Sequence, residues 1–245
     1  FYNYSIFLNK IFKIYNKIMT KKKNDKSINF DDFSSDYENK ILKSFGNIDS
    51  NVSYYHSGKA KIAKRELASS PNKILDFGCG IGSMLKFLKE NFNYSKFYAY
   101  DESLKSLEHV KIKYPDVNCI HSLDTIEKFD LIFVSNVIHH VKSGERNDFF
   151  KKIYSLLDDN GRLLIYEHNP YNPITLKVVA NCEFDIDAEL INKKNLIKLC
   201  NENDFKLQKS GYIHFFPSKL KFFFNLEKYL KWFFLGAQYF CIFKK

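Results

Sequence analysis

The sequence Ile74-Leu75-Asp76-Phe77-Gly78-Cys79-Gly80-Ile81-Gly82 decides the fold of this chain. A short apolar run over residues 73–77 predicts a buried strand, and residues 82–91 predict an amphipathic helix. The glycines between them allow unusual backbone dihedrals and let a ligand approach the backbone closely. Because ligands of open parallel sheets bind beyond the carboxyl ends of the strands, this turn predicts a ligand site.

Strands and helices alternate along the rest of the chain. Two helical patterns, over residues 30–37 and 54–67, precede the turn. After it, the sequence predicts further strands at 96–100, 118–121, 129–134, 161–166, 205–215 and 237–243, and helices at 103–113, 148–157 and 196–203. Such alternation is typical of parallel βαβ units with helices on both faces of one sheet.

The carboxylates beside the glycine turn distinguish between ligands. A dinucleotide fingerprint needs Gly-x-Gly-x-x-Gly, but Ser83 stands where its third glycine would be. Asp76 ends the first strand, where a carboxylate suits an ammonium group better than a pyrophosphate. Asp101 ends the next strand, where a carboxylate accepts hydrogen bonds from ribose hydroxyls. A ligand with a ribose, a cationic amine and no phosphate fits this pattern, and S-adenosyl-L-methionine is such a ligand.

Four segments resemble, in order, motifs of the class I S-adenosylmethionine-dependent methyltransferases. They are Leu75–Gly82, Tyr98–Ser103, Phe129–Val141 and Leu157–Ile165, and the resemblance covers residues 30–245. It implies a Rossmann-like, doubly wound α/β fold whose seven-stranded sheet has the order 3-2-1-4-5-7-6, with the last strand antiparallel. The sequences EHNPYNP (residues 167–173) and GAQYF (residues 236–240) resemble a subgroup that implies no secure acceptor.

The resemblance also implies a set of cofactor-binding residues. Gly78, Gly80 and Gly82 would approach the cofactor, Asp101 would hold its ribose, and Asp76 would lie near its methionine end. Gly82 has a second interpretation, as a residue that only packs the following helix. Ser122 and Leu123 lie where the family contacts adenine, although the usual Asp-Ala pair is absent. The predicted cofactor site is completed by Glu102 and Ser135.

Two polar segments follow the fourth and fifth strands, on the side of the sheet where an acceptor would lie. A hydroxyl acceptor must lose a proton, and histidine removes it most often near neutral pH. We predict catalytic roles for His140 first, His168 second and Glu167 third. The alternatives are packing for the histidines and backbone hydrogen bonding for Glu167. The predicted substrate-binding residues are His139, Asn169, Tyr171 and Tyr37.

Two other patterns bear on metal binding. The five cysteines are spread singly, which predicts reduced thiols and gives no zinc-ligand spacing. Residues 182–189 contain four acids, which fits a cation site, a wall of the acceptor pocket or a solvated helix start. The sequence therefore predicts no metal among the site residues.

The net charge of +10 comes from the two ends of the chain. Residues 1–26 hold seven lysines and one aspartate, residues 216–245 hold six lysines and one glutamate, and residues 27–215 hold 25 bases and 26 acids. Only three of the bases are arginine, the residue that base and phosphate recognition favours. The sequence thus makes nucleic acid an unlikely partner.

The domain organisation follows from these boundaries. We predict a basic tail over residues 1–29, a helical lid over residues 30–70 and a methyltransferase domain over residues 71–245. Residues 1–18 fit either an amphipathic helix at a membrane surface or translated sequence upstream of a start at Met19. No apolar run reaches the roughly 20 residues of a spanning helix, which predicts no transmembrane segment and a cytoplasmic protein.

The predicted function is methyl transfer from S-adenosyl-L-methionine to a small molecule or a glycan or lipid precursor, with oxygen slightly favoured as the acceptor atom. The alternatives are a non-catalytic cofactor-binding partner protein, a nicotinamide-dependent enzyme and a nucleic-acid methyltransferase. The aromatic segment 215–235, with lysines between its rings, fits either a helix packed on the sheet or a peripheral membrane contact. The sequence leaves the oligomeric state undetermined.

Overall fold

The computed structural model describes residues 37–46, 48–67, 69–124 and 127–245. The predicted tail over residues 1–29, and the helical pattern as far as residue 36, lie outside this part of the chain. Two helices come before the sheet, α1 (Tyr37–Phe45) and α2 (Val52–Glu66).

One sheet of seven strands forms the centre of the described structure, with the order β3-β2-β1-β4-β5-β7-β6. The strands are β1 (Lys73–Phe77), β2 (Lys96–Tyr100), β3 (Asn118–Ile120), β4 (Phe129–Ser135), β5 (Leu157–His168), β6 (Lys206–Ile213) and β7 (Gln238–Lys244). β7 runs antiparallel to both of its neighbours, β5 and β6. The predicted fold class, strand order and antiparallel last strand are therefore confirmed.

Helices cover both faces of the sheet. They are α3 (Leu85–Asn91), α4 (Leu104–Lys113), α5 (Arg146–Leu156), α6 (Pro173–Asn181), α7 (Lys193–Glu202) and the short α8 (Glu227–Leu230). Short 3₁₀ segments lie at Ile138–His140 and Glu183–Asp185, and a longer one at Ser218–Leu226 lies within the aromatic segment 215–235.

The core has two layers because neighbouring strand residues point to opposite faces. Ile74 packs in the layer that contains α2, α3 and α4, whereas Leu75 packs in the layer that contains α5 and α7. Leu131 and Ile132 divide between the layers in the same way. Both faces of the central strands are thus buried, which explains their nearly continuous apolar sequences.

Helix α2 belongs to this core. Its residues Ala60, Ile62 and Ala63 are buried, and the Tyr166 hydroxyl of β5 donates a hydrogen bond of 2.9 Å to the carbonyl of Lys59. Helix α1 contacts α6 instead. The two helices of the predicted lid therefore have different neighbours, and α2 fixes one wall of the site described below.

Helix α6 is an element that the sequence patterns did not predict. Asn172 precedes it, and its side-chain oxygen accepts a hydrogen bond of 2.9 Å from the Thr175 N–H. Pro173 occupies the first turn, where a missing N–H costs nothing. The Asn-Pro pair that ends the EHNPYNP sequence is thus the start signal of a helix.

None of the helices in the described part of the chain combines the length and apolar composition needed to cross a bilayer. All five cysteines carry free thiols.

Candidate active site

The glycine turn after β1 is held against the end of β2. The N–H groups of Gly78 and Cys79 donate to the Tyr100 carbonyl at 2.8 and 3.0 Å. The N–H of Gly80 donates to Asp101 Oδ2 at 2.8 Å, while Asp101 Oδ1 accepts from the Ser103 N–H. The Asp101 carboxylate therefore holds the glycine turn in place, and Asp101 lies at the carboxyl end of β2, as predicted.

All three glycines of the turn have positive φ angles: +72° at Gly78, +51° at Gly80 and +77° at Gly82. A Cβ on Gly78 would lie 2.5 Å from a methyl group of Val137, in the loop after β4. A Cβ on Gly82 would meet side chains of α3 and α4 at 3.0–3.1 Å. Gly78 thus permits the close approach of two loops, and the surroundings of Gly82 support its packing interpretation.

Asp76 is a buried carboxylate at the end of β1. It is 2% exposed, and its Oδ2 has no hydrogen-bond partner among the described residues. Burial, and then the nearby Asp101, raise the pKa of Asp76 to about 7, although the ammonium of Lys59 opposes the shift. The Ser83 hydroxyl is likewise buried without a described partner. These two buried polar atoms beside the turn leave hydrogen-bonding capacity that a polar ligand could satisfy.

A cavity of about 190 Å³ opens from these groups towards the ends of β4, β5 and β7. Six of the predicted site residues line it: Asp76, Gly78, Ser135, His139, His140 and His168. Helices α1 and α6 contribute mostly apolar walls, including Ile41, Phe45, Ile174 and Val178. The cavity therefore joins the predicted methionine end of the cofactor site to the predicted acceptor side.

Lys59 is a site residue that the sequence patterns did not predict. It is 2% exposed, and its Nζ donates a hydrogen bond of 2.8 Å to Ser135 Oγ. Burial lowers the pKa of Lys59 to about 7, although Glu167 and Asp76 oppose the shift. The sequence does carry a signal for Lys59. Tyr55, Lys59 and Ala63 follow one another at intervals of four residues, which places Lys59 on the buried face of α2.

Glu167 lies behind the cavity and organises the loop after β4. Its Oε1 accepts from the N–H groups of Val137 and Ile138 at 3.0 and 2.7 Å, and its Oε2 contacts His139 Nδ1 at 2.7 Å. Burial opposes ionisation, but His139 lowers the pKa of Glu167 to about 2. Glu167 is not among the residues that line the cavity, and its contacts are those of a positioning residue, whereas its predicted catalytic role stays a prediction.

The histidines form one cluster with Asp185. His139 Nε2 lies 3.4 Å from Asp185 Oδ1, and His140 Nε2 lies 3.5 Å from the same oxygen. Burial opposes the charged form of His139, but Glu167 and Asp185 together raise its pKa to about 10. Burial, and then His139, lower the pKa of His168 to about 4. At neutral pH, His139 is therefore cationic and the neighbouring His168 is neutral.

Two predicted substrate-binding residues have other roles in the structure. Asn169 is 1% exposed, and its side-chain amide donates to the carbonyls of Phe234 and Gly236, at 2.7 Å each. Its side-chain oxygen accepts from the Tyr171 N–H, and neither residue lines the cavity. The Asn169 amide thus satisfies backbone carbonyls of the chain itself, and its contact with a substrate stays a prediction. Tyr37 begins α1, and its side chain lies outside the described part of the structure.

Ser122 and Leu123, predicted near adenine, and Glu102, predicted in the cofactor site, are not among the residues that line the cavity. Glu102 and Ser122 are exposed, Leu123 is half-buried against the core, and Ser122 Oγ accepts from the Asp124 N–H at 3.2 Å. Of the three interpretations of the acidic segment 182–189, a wall of the pocket fits Asp185, which lines the cavity and is buried inside the histidine cluster. Gln238 of β7 also lines the cavity, and its Oε1 has no described partner.

Residues 75–163 match the family model of a methyltransferase domain. A TehB-like S-adenosylmethionine-dependent methyltransferase from Corynebacterium glutamicum has a similar structure, with a TM-score of 0.53 and 19% identity, covering 77% of this chain and 88% of that one. This chain has the class I methyltransferase fold. The plantazolicin methyltransferase BpumL, solved with a monoazolic desmethylplantazolicin analogue and S-adenosylhomocysteine, shares the methyltransferase fold at a TM-score of 0.57 and 15% identity, covering 96% and 99% of the two chains.

Two relatives resemble part of this chain in sequence. An uncharacterised methyltransferase from Staphylococcus carnosus is 30% identical over 126 residues, covering 49% of this chain and 60% of the relative. The (S)-coclaurine N-methyltransferase of Papaver somniferum is 28% identical over 125 residues, covering 47% and 33%. The chain thus spans less than two thirds of the length of either relative.

Proposed function

We propose that this protein is a methyltransferase that uses S-adenosyl-L-methionine and methylates a small molecule or a glycan or lipid precursor, at oxygen. The observation that carries the proposal is the orphaned, buried carboxylate of Asp76, placed between a glycine turn and a cavity lined by imidazoles. The match of residues 75–163 to the methyltransferase domain model supports the activity. The fold shared with structures that contain S-adenosylhomocysteine supports the cofactor.

The residues at the ends of β1 and β2 fit this cofactor. Asp76 would attract its ammonium group, the glycine turn would allow its close approach, and Asp101, at the carboxyl end of β2, would accept hydrogen bonds from its ribose hydroxyls. S-adenosyl-L-methionine supplies an already activated methyl group. The protein therefore mainly has to hold an acceptor in line, and orientation can contribute ~7–11 kcal/mol in favourable cases.

For transfer to oxygen, we propose His140 as the base. Its ring lines the cavity, and its Nε2 lies 3.5 Å from Asp185 Oδ1, so that carboxylate would stabilise the imidazolium formed when His140 takes a proton. The positive charge of His139, between Glu167 and Asp185, makes it a poor proton acceptor. Asp185 would in this way orient His140, and Glu167 would act through His139.

One experiment tests cofactor and chemistry together. Calorimetry measures the binding of S-adenosylhomocysteine, and S-adenosylmethionine with a deuterated methyl group reveals acceptors in a small-molecule extract by their mass. We expect His140→Gln to keep cofactor affinity within about twofold and to lower turnover by roughly 10²–10⁴-fold. Binding without any labelled product, in wild type as well, would instead favour a non-catalytic cofactor-binding protein. Labelled amines would move the reaction to nitrogen.

The aromatic segment supports a peripheral contact with a lipid phase, where a lipid-linked acceptor would be found. The 3₁₀ segment Ser218–Leu226 contains no buried residue, and the exposed fraction is 68% for Phe222 and 77% for Trp232. Lysines 219, 221 and 228 lie among these rings. Phe224 of the same 3₁₀ segment packs against the core, so the packed interpretation applies to that residue, whereas the exposed rings support the lipid contact.

Vesicle sedimentation tests this contact. We expect binding to vesicles of anionic lipid that falls as salt rises, and a loss of at least fivefold in the double variant Phe222→Ser, Trp232→Ser. Tyr94→Ser is the matched control, because Tyr94 is 95% exposed outside this segment. Equal binding by all three proteins would exclude the segment as the lipid contact.

A further inference from the structure

We infer that His139, His168 and Asp185 form a binding site for a divalent first-row transition-metal ion at the acceptor end of the cavity. Each of these residues offers one ligand atom, and the three atoms lie within 4.8 Å of one another. All three residues line the cavity. The site deepens the proposed function, because a cation there would lie where the acceptor has to be held.

The spacing of the ligand atoms suits such an ion. Protein ligands of zinc lie at about 2.0–2.2 Å from the metal, so a tetrahedral site places its ligand atoms roughly 3.4 Å apart. His139 Nε2 and Asp185 Oδ1 are 3.4 Å apart. His168, at the end of β5, offers the third ligand atom, which lies within 4.8 Å of the other two.

The second coordination shell is already in place. A metal-ligating histidine usually donates its other ring N–H to a carboxylate, which fixes the tautomer and the ring orientation. Glu167 Oε2 contacts His139 Nδ1 at 2.7 Å, and Glu167 Oε1 is itself held by two backbone N–H groups. This arrangement leaves Nε2 of His139 directed towards Asp185.

The charges and the donor types favour the same class of ion. Glu167 and Asp185 are both buried, and a cation of charge two would balance them while His139 gives up its proton. Two imidazoles and one carboxylate are the donor set of zinc and of first-row ions such as manganese, iron and cobalt, whereas magnesium and calcium prefer oxygen ligands alone. Three protein ligands leave a position for a lone pair of the acceptor.

A structural alternative uses the same residues without a metal. His139, protonated and held between Glu167 and Asp185, would then be the centre of a buried ion triad that stabilises the loops after β4 and β5. The two interpretations differ in what they predict for Asp185→Asn. Loss of metal binding in a folded protein supports the site, whereas a triad alone predicts no metal binding at any stage.

The experiment titrates chelator-treated protein with Co²⁺, followed by visible absorption, and with Zn²⁺, followed by calorimetry. We expect one equivalent per chain in wild type, and a loss of affinity of at least tenfold in Asp185→Asn and in His168→Asn. Glu167→Gln should weaken binding by roughly 10–100-fold while it keeps all three ligands. Circular dichroism and the unfolding temperature establish that each variant is folded.

Two control proteins separate this site from other donors. The variant His109→Ala, His121→Ala removes exposed imidazoles outside the cavity and should keep both affinity and stoichiometry. Cys182→Ser removes the thiol that also lines the cavity, and its Co²⁺ spectrum should equal that of wild type. Failure of wild type to bind either ion, or equal binding by wild type and Asp185→Asn, would overturn the inference.

The outcomes for metal and cofactor are distinguishable. S-adenosylhomocysteine binding is measured on the same protein in the presence of chelator. Cofactor binding without metal binding overturns only the metal site, and metal binding without cofactor binding overturns only the proposed function.

Discussion

Lys59 Nζ donates a hydrogen bond of 2.8 Å to Ser135 Oγ, and this bond fixes a buried ammonium group at the end of β4. Strand β1 pairs with β4, and the buried carboxylate of Asp76 lies near the end of β1. The ammonium favours the ionised form of Asp76, whereas burial favours the neutral form. Cofactor affinity should therefore depend on both residues, in ways that pH reveals.

The first prediction concerns the pH dependence of cofactor binding. Because the pKa of Asp76 is raised to about 7, the carboxyl becomes neutral as pH falls below that value and no longer attracts an ammonium group. We expect the affinity for S-adenosylhomocysteine to be flat above about pH 8 and to fall by up to about tenfold per pH unit below about pH 7. Calorimetry across this range measures it, and Asp76→Asn should bind weakly with a flat profile.

The second prediction separates Lys59 from Asp76. Lys59→Met keeps the length of the side chain but removes the charge that lowers the pKa of Asp76. The pH at which S-adenosylhomocysteine affinity declines should rise, and the affinity at pH 7 should fall by roughly 2–10-fold. Lys61→Met, on the exposed side of the same helix, is the control and should leave the profile unchanged. An unchanged profile in Lys59→Met would contradict the electrostatic link.

The third prediction concerns stability. A carboxyl whose folded-state pKa lies above its unfolded value makes the ligand-free protein less stable as pH rises from about 4 to about 7, and adds no further slope above that. Asp76→Asn should remove this slope, so the variant should be more stable than wild type at pH 8, by about 1–3 kcal/mol. Urea unfolding at pH 5 and pH 8 measures the difference. A variant that is less stable than wild type at pH 8 would contradict the assignment of the raised pKa.

The fourth prediction uses three glycines. Gly78→Ala meets both an unfavourable φ and a clash with Val137, and we expect it to cost roughly 2–4 kcal/mol of stability and to abolish cofactor binding. Gly46 has a positive φ, but there is open space where its Cβ would lie. Gly144 also has open space there, and its φ is not positive. Gly46→Ala should lower the free energy of unfolding by about 1 kcal/mol and Gly144→Ala should leave it nearly unchanged, and both variants should still bind the cofactor. Thermal unfolding and calorimetry together rank the three variants.

The fifth prediction concerns the end of β2. Asp101→Ala removes both the acceptor for the Gly80 N–H and the proposed ribose ligand, and should weaken S-adenosylhomocysteine binding by about 10–100-fold. Glu102→Gln changes the exposed neighbour and should bind as wild type does. Adenine alone lacks the ribose. The affinities of wild type and Asp101→Ala for adenine should therefore differ much less than their affinities for S-adenosylhomocysteine.

The sheet was predictable because its strands are short apolar runs with turn residues between them. Residues 129–134 show this most clearly, and strand β4 extends them by one residue. Strand β5 begins at Leu157 and not at Gly161, because Leu157 already pairs with Phe129 of β4 before the register shifts and Arg162 pairs with Leu131. Helix α6 escaped prediction because its start signal, Asn172 with Pro173, lies inside a segment whose polar residues resembled a substrate loop.

The site was less predictable because function there depends on which partner a side chain has. Sequence alone shows that Asn169 is polar, but only the fold brings the Phe234 and Gly236 carbonyls to its amide. For Lys59 the sequence indicates an unusual position, because a lysine lies on the apolar face of a helix. Only the fold shows that its hydrogen-bond partner is Ser135. Asp185 stands 17 residues after His168 in the chain, and its place in the cluster depends on the turn after α6.

The amide of Asn169 also has a consequence for how relatives of this chain could diversify. Its two hydrogen bonds hold the loop after β5 to the segment leading into β7, at one rim of the cavity. The opposite rim is built from apolar side chains on two helices: Ile41, Phe45, Ile174 and Val178. Descendants that accept bulkier or slimmer molecules should therefore differ at these four positions and retain the asparagine clamp.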